Sequence, residues 1–158
     1  MPIPALRLSN GLEPEELRTW LEWSGCKLLS MHIASPGPRE PSAAWPEFAQ
    51  DANLAYGYTG ERLRPAIPSA LEIELMDRIM MFPSLAKDIN VRRILNARAL
   101  VTPVANRYLY SWAKIAFMLH TNRPTVQRLH RNGLREIAQQ IPKDKVDAIR
   151  LLLGSTPM

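Results

Sequence analysis

The sequence is poor in cysteine and in long apolar runs, and each shortage excludes a class of protein. Cys26 is the only cysteine among 158 residues, so no disulfide can form within the chain and secretion gains no support. No apolar run approaches the roughly 20 residues that a membrane-spanning helix needs. The first seven residues lack the basic and then apolar order of a signal peptide. We therefore expect a soluble, cytoplasmic protein without a membrane partner.

Glycine is also scarce, with 7 residues against 14 prolines. Proline is poorly tolerated inside helices and central strands, so these residues should divide the chain into short segments. No segment shows the sustained apolar–polar alternation of a half-buried strand. The hydrophobic content of 46% is nevertheless sufficient for a core. The sequence predicts an all-α fold of six or seven short helices.

Apolar spacing and capping residues place most of these helices. We predict helices over residues 12–32, 45–56, 70–82, 85–100 and 142–154, in addition to two within residues 111–135. Ser69 and Ser84 are the predicted caps of the helices that follow them. Trp23 lies off the main apolar stripe of the first helix, so it is the tryptophan best placed for an exposed contact.

Acidic residues are absent from residues 89–135. Residues 1–88 hold eight Lys and Arg against twelve Asp and Glu, whereas the acid-free stretch holds nine basic residues. These are Arg92, Arg93, Arg98, Arg107, Lys114, Arg123, Arg128, Arg131 and Arg135. Such segregation favours a polyanionic partner, although a solvated basic helix face without a partner would show the same pattern.

Residue sets typical of catalysis and of metal binding are missing too. Ser24 and Cys26 have no partner set for nucleophilic chemistry, and no phosphate-binding glycine motif occurs. His32, His120 and His130 have no carboxylates at a metal-ligand spacing. We expect no enzyme activity, no metal and no cofactor. His120 and His130 are expected to contact phosphate or to be exposed.

From Trp112 onwards the apolar spacing predicts a helix-turn-helix. This motif needs a small residue where its two helices touch, and Ala116 provides it. Further apolar residues must hold both helices on the core, and these are Ile115, Leu119, Val126 and Leu129. Thr121 or Asn122 can cap the second helix, and Pro124 is acceptable only in its first turn.

The remaining side chains of the second helix are predicted to point outward. Arginine reaches guanine edges or phosphates, glutamine reads adenine, and threonine reaches phosphate or a thymine methyl group. The predicted DNA-binding residues are Arg123, Thr125, Gln127, Arg128, Arg131 and Arg135, with Lys114 and Arg107. The alternative is a helical hairpin whose arginines are only solvated.

The segments 112–116 and 125–137 resemble the helix-turn-helix of sigma-factor region 4. Residues 12–140 also resemble an uncharacterised family of small helix-turn-helix proteins from bacterial genomes and prophages, through Trp45-Pro46-Glu47-Phe48 and Ala55-Tyr56-Gly57. The chain departs from the common motif at His120, where glycine often lies, and in the irregular stretch 102–106. The resemblance implies a DNA-binding regulator or a phage DNA-processing factor.

These observations divide the chain into three parts. Residues 1–82 form an acidic-leaning helical half, residues 84–140 a tri-helical DNA-binding unit, and residues 141–158 a terminal helix. The apolar stripe of that helix, Val146, Ile149, Leu152 and Leu153, either closes the core or pairs with another subunit. We expect a homo-oligomer.

The function that we expect is sequence-preferring binding of double-stranded DNA by a phage or bacterial transcription regulator. Helix 123–135 would then lie in the major groove. One alternative is a small terminase-type subunit that recognises a packaging site as a ring. Another is a sigma-like module that binds RNA polymerase, or a phage protein, without reading DNA.

Overall fold

A computed structural model describes residues 11–34 and 66–155. Within these ranges the chain forms six α-helices and no strand longer than an isolated bridge. They are α1 (Pro14–Ala34), α2 (Ala70–Met80), α3 (Ile89–Ala99), α4 (Trp112–Met118), α5 (Arg123–Gln140) and α6 (Lys143–Ser155). The predicted all-α class is confirmed, whereas the predicted helix over 45–56 lies outside the described residues. No helix in the described ranges is long and apolar enough to cross a membrane.

Helix α1 lies at the centre of the fold and packs against α2, α3 and α5. Its first turn contains Pro14 and the acidic residues Glu15 and Glu16, which suit the positive end of a helix dipole. Polar residues are buried along it as well, and the hydroxyls of Ser24 and Ser30 donate to the carbonyl oxygens of Trp20 and Cys26. Because these bonds give each buried hydroxyl group an acceptor within the helix, Ser24 and Ser30 can be buried without an unsatisfied donor.

Two glycines let helices approach closely at the centre. A Cβ atom on Gly25 would collide with the carbonyl oxygen of Ala99 at the end of α3. A Cβ atom on Gly133 of α5 would collide with the side chain of Val91 on α3. Glycine ordinarily weakens the middle of a helix, but Gly25 lets the end of α3 approach α1.

The helix starts follow their capping residues, with one correction. Ser69 caps α2 in a capping box with Glu72, as predicted. Ser84 does not cap α3: residues Phe82–Leu85 form a 3₁₀ turn, and the α3 cap is Asp88, whose carboxylate accepts from the amide of Asn90. The proline at position 83 favours this tight turn over a longer helix. The helix predicted over 85–100 therefore starts four residues later.

Within residues 11–34 and 66–155 the core consists of two apolar clusters. The larger cluster joins α1, α2, α3, α5 and α6 through residues such as Trp20, Leu75 and Ile137. The smaller cluster joins α3, α4 and α5 and contains Ile94, Ile115, Ala116 and Val126. Leu129 packs against both clusters. The acidic-leaning helices and the helix-turn-helix therefore share one interior.

Helix α6 closes this interior. Val146, Ile149 and Leu153 of the predicted stripe are buried in the larger cluster. Arg150 of the same helix forms a bidentate ion pair with Glu16 of α1. The distances are 2.9 Å from Nε to Oε1 and 2.7 Å from Nη2 to Oε2. Three stripe residues thus face the core of their own chain.

Candidate nucleic-acid interface

Helices α4 and α5 are joined by a four-residue turn, and their inward residues are those that the sequence predicted. Ile115, Ala116 and Val126 are buried together in the smaller cluster. Leu119 and Leu129 are partly buried against it. The small Ala116 lies where α4 and α5 approach, and Ile94 of α3 completes the contact. Two helices, a short turn and a small buried residue between them are the parts from which a helix-turn-helix is built.

His120 makes the turn by adopting a left-handed backbone, with a φ of 50°. The amide of His120 donates to the carbonyl of Phe117 at 3.2 Å, and the amide of Thr121 donates to the carbonyl of Ala116 at 3.0 Å. These two bonds form a Schellman motif, in which the left-handed position is usually glycine. His120 replaces the usual glycine of the common motif, but it adopts the left-handed backbone that glycine has at this position.

The second helix begins at Arg123 with a side-chain cap. The Asn122 side-chain oxygen accepts from the amide of Thr125 at 3.0 Å, and Pro124 occupies the first turn. Asn122 rather than Thr121 is therefore the cap. Since Pro124 has no amide proton, it leaves one fewer unpaired donor at this end of α5.

The predicted DNA-binding residues of α5 form most of its outward face. Arg123, Arg128, Arg131 and Arg135 are exposed, whereas Thr125 and Gln127 are half-buried at the edges of the face. Val126, His130, Gly133, Leu134, Ile137 and Ala138 make up the opposite, buried face. The four guanidinium groups are thus displayed on a helix that is held rigidly from behind.

Asn132 also lies on this face and was not among the predicted residues. It is exposed and follows Arg128 by one helical turn, which places it between Arg128 and Arg135. Its spacing in the sequence was sufficient to find it, since residues four apart lie on one side of a helix. An asparagine at such a position can donate to and accept from an adenine edge.

Lys114 and Arg107 lie on other elements. Lys114 is exposed on α4, with its ammonium 4.9 Å from the centre of the Tyr110 ring. Arg107 is exposed in the loop between α3 and α4, where its carbonyl accepts from the amide of Thr102 at 2.8 Å. A bridge between Val101 and Tyr108 closes this loop. The irregular stretch 102–106 is therefore a tight hairpin.

Arg98 holds the hairpin and α4 together. Its guanidinium lies 3.4 Å from the centre of the Tyr108 ring and 4.1 Å from that of Trp112. It also donates to the carbonyl of Tyr110, and the Tyr108 hydroxyl donates to Glu22 of α1 at 2.8 Å. Burial raises the pKa of Tyr108, as does its bond to Glu22. Arg98, one of the basic residues of the acid-free stretch, is thus a packing residue and not a surface charge.

His130 is buried, with 9% of its surface exposed, so its predicted exposure or phosphate contact is wrong. It packs edge to face against Trp112 on the inner side of α5. Burial and then the nearby charge of Arg98 lower its pKa to about 4, so the ring is neutral at pH 7. The sequence showed a polar residue four positions after Val126, and this spacing was the available signal for an inward position.

Trp23 is buried as well, at 1% exposure, which corrects its assignment as the tryptophan best placed for an exposed contact. Because α1 packs on several sides, residues off its main stripe are covered too.

Among the described residues, no group of His, Cys, Asp and Glu is arranged to hold a metal ion.

Comparison with protein families gives a match over residues 31–137 to a domain of unknown function, DUF6362. The chain belongs to the DUF6362 family. The match extends from the last residues of α1 to Ile137 in α5 and so includes α4, the turn after it and most of α5, while α6 follows it. Searches of curated proteins and of solved structures found no match. The family description assigns no activity, so the function must be argued from the geometry.

Proposed function

We propose that this DUF6362 protein binds double-stranded DNA with a sequence preference, as a bacterial or phage transcription regulator of the cytoplasm. Helix α5 would enter the major groove, with α4 crossing the backbone. The observation that carries the proposal is the pairing of helix-turn-helix geometry with the charge of its outer face. Four exposed arginines lie on α5, and no acidic residue occurs from 89 to 135.

The start of α5 supports contact with phosphate. The dipole of the 18-residue α5 favours an anion at the first turn of the helix. The exposed Arg123 lies in the same turn. The acidic side chain nearest in sequence along α5 is Glu136, which accepts from Gln140 at 3.4 Å near the far end of the helix. The N-terminal two thirds of α5 therefore offer only attraction to a polyanion.

Base recognition is assigned to Gln127 and Arg128, which lie in the second turn of α5. The half-buried Gln127 has a restricted side chain, which favours one hydrogen-bonding geometry, and Arg128 is exposed. Arg131, Asn132 and Arg135 extend the face toward the adjacent backbone. Lys114 and Arg107 would contact phosphates on either side, since each is exposed beside the motif.

The test is the double variant Gln127→Ala with Arg128→Ala. Both residues lie outside the buried face and alanine favours helix, so the free energy of unfolding should stay within about 1 kcal/mol of wild type. Affinity for a preferred duplex should fall by roughly tenfold or more, because a good base contact contributes about 1–3 kcal/mol. Preference should relax at one position of the site. Loss of a phosphate contact alone would weaken all sequences alike.

Lys87→Ala with Gln139→Ala is the matched control. It removes one charge and one amide at exposed positions outside the N-terminal two thirds of α5, so the affinity should change less than twofold. Absence of duplex binding by the wild type at low salt would overturn the proposal. Equal binding by the wild type and the Gln127 and Arg128 double variant would overturn the base-reading role.

A second candidate function, a module that binds RNA polymerase or a phage protein, is favoured by one observation. Phe117 and Met118, in the last turn of α4, are 80% and 56% exposed. Met118 lines a cleft between α3 and α4 whose other walls include Arg93, Tyr110 and Leu119. Contiguous apolar exposure of this kind is typical of protein contacts.

Phe117→Ser with Met118→Ser separates the two candidates. If the interaction function is correct, retention on purified RNA polymerase should be lost while the melting temperature is unchanged, since both side chains are exposed. If DNA is the partner, the duplex affinity of this variant should remain close to that of wild type. If the protein binds polymerase and binds no duplex, the interaction module would be favoured over DNA binding as the function.

A further inference from the structure

A concavity on the described surface lies at the opposite end of α5 from the turn. It is a groove of about 740 Å³ between the 3₁₀ turn, the end of α5 and α6. Phe82, Ile141 and Ile149 form its apolar floor, and Met81 and Leu85 stand at its edge. Met81 is 67% exposed and Leu85 is 40% exposed. No described helix covers these two side chains.

The charges at the rim distinguish this groove from the cleft between α3 and α4. Its rim carries Arg78 and Lys145 together with Asp144, so both signs are present. The other cleft has Arg93 and no acidic residue among its lining residues. The chain as a whole is positive by five charges, and the 89–135 stretch would repel a second copy. A self-complementary contact therefore fits the mixed-charge groove.

We propose that this groove is the interface of a two-fold homodimer. The exposed Met81 of each copy enters the groove of the other and packs on the Phe82 and Ile141 floor. Asp144 of each copy meets Lys145 of the other, as the symmetry of a two-fold contact allows, while Arg78 stays paired with Glu74 of its own helix. The stripe of α6, which the sequence predicted either to close the core or to pair with another subunit, is largely buried in its own chain, so the interface is a different surface.

The location of this interface has a consequence for DNA, which rests on the proposed function. Gln140 lines the groove, and Gln127 lies 13 residues earlier on α5, a rise of about 20 Å. Two copies that meet at this end place their Gln127 residues up to roughly 40 Å apart, plus the gap across the interface. Inclined helices reduce this separation toward the spacing of about 34 Å between half-sites one helical turn apart. The dimer should therefore read a two-fold site of about 10 base pairs from centre to centre.

The first experiment is sedimentation equilibrium of the full chain at micromolar concentration. Wild type should show twice the chain mass of 17.9 kDa, and Met81→Asp with Leu85→Asp should show the monomer mass. Both side chains are exposed, so the variant should keep the helical circular dichroism and melting curve of a folded chain. Val104→Asp is the matched control, since Val104 is 55% exposed in the hairpin far from the groove lining, and it should remain dimeric.

A charge exchange tests the pairing itself. Asp144→Lys makes the named rim charges all positive, and Arg78→Asp with Lys145→Asp makes them all negative. Each variant alone should sediment as a monomer, and an equimolar mixture should recover the dimer mass. A dimer in either variant alone, or monomers in the mixture, would overturn the assigned contact.

Selection from a randomised duplex pool completes the design and separates the two proposals. Wild type should enrich two-fold repeats about 10 base pairs apart, and the Met81 and Leu85 variant should enrich a single half-site. A monomeric wild type, or a ring of eight or more subunits, would overturn the two-fold interface whether or not DNA is bound. A dimer that enriches no sequence would overturn the proposed DNA-binding function and would support the proposed dimer interface.

Discussion

The indole of Trp112 meets the imidazole of His130 edge to face, with ring centroids 5.1 Å apart and an angle of 80° between the planes. This contact fixes the first residue of α4 on the middle of α5. The Arg98 guanidinium lies 4.1 Å from the centre of the same indole, so a cation is already present beside the buried histidine. Protonation of His130 would add a second positive charge in a poorly solvated site.

Acid should therefore destabilise the fold through His130. Its folded-state pKa of about 4 lies below the ordinary value of 6.5, so the unfolded chain binds more protons between these pH values. The contribution of neutral His130 to the free energy of unfolding is fully present above pH 6.5. The free energy of unfolding should fall, by up to about 3 kcal/mol, as the pH drops toward 4. Urea unfolding at pH 7 and pH 4.5 measures this loss.

His130→Phe keeps a ring against Trp112 and removes the group that binds the proton. Between pH 7 and pH 4.5 this variant should therefore lose less free energy of unfolding than wild type, and the difference is the contribution of His130. Identical pH dependence in wild type and His130→Phe would show that this histidine is not the cause.

The left-handed turn predicts a stabilising substitution. His120 adopts a φ of 50°, which costs an ordinary side chain roughly 1 kcal/mol and costs glycine little. His120→Gly should raise the free energy of unfolding by up to about 1 kcal/mol, and β-branched His120→Val should lower it. Thermal melts of both variants decide the sign. A loss of stability in His120→Gly would mean that the imidazole contributes more than the backbone strain.

Gly25→Ala should be strongly destabilising even though alanine favours helix. The new methyl group would meet the carbonyl oxygen of Ala99, which is backbone and cannot rotate away. Separation of α1 from α3 should lower the free energy of unfolding by about 1–3 kcal/mol, as overpacking usually does. Gly11→Ala is the control, since no atom lies within 4 Å of its Cβ position. Equal denaturation midpoints for the two variants would contradict the close approach.

The ion pair between Glu16 and Arg150 should be far more sensitive than an exposed pair. Its side chains are 4% and 10% exposed, so Glu16→Gln removes the carboxylate that accepts two bonds from Arg150 in a poorly solvated site and should cost about 3 kcal/mol. Glu74→Gln removes the exposed partner of Arg78, at the same distance of 2.7 Å, and should cost less than about 1 kcal/mol. The double variant Glu16→Leu with Arg150→Met should recover much of the loss. Comparable unfolding energies for the two single variants would contradict this difference.

The sequence alone determined which residues of α4 and α5 face inward. Ile115, Ala116 and Val126 could be assigned inward because their spacing must satisfy one rigid packing geometry, and all three are buried. Ser69 and Pro124 were predictable for the same reason, since capping and first-turn chemistry act within a few residues. The charge asymmetry of the surface is likewise a property of the sequence.

Tertiary structure decided the features that depend on contacts between distant segments. Trp23 and His130 looked available because periodicity describes one stripe of a helix and not how many neighbours that helix has. Gly25 gained its role only through Ala99, 74 positions later, and Arg150 through Glu16, 134 positions earlier. Local chemistry can be read from neighbouring residues, whereas burial follows from packing of the whole chain, to which residues far apart in sequence contribute.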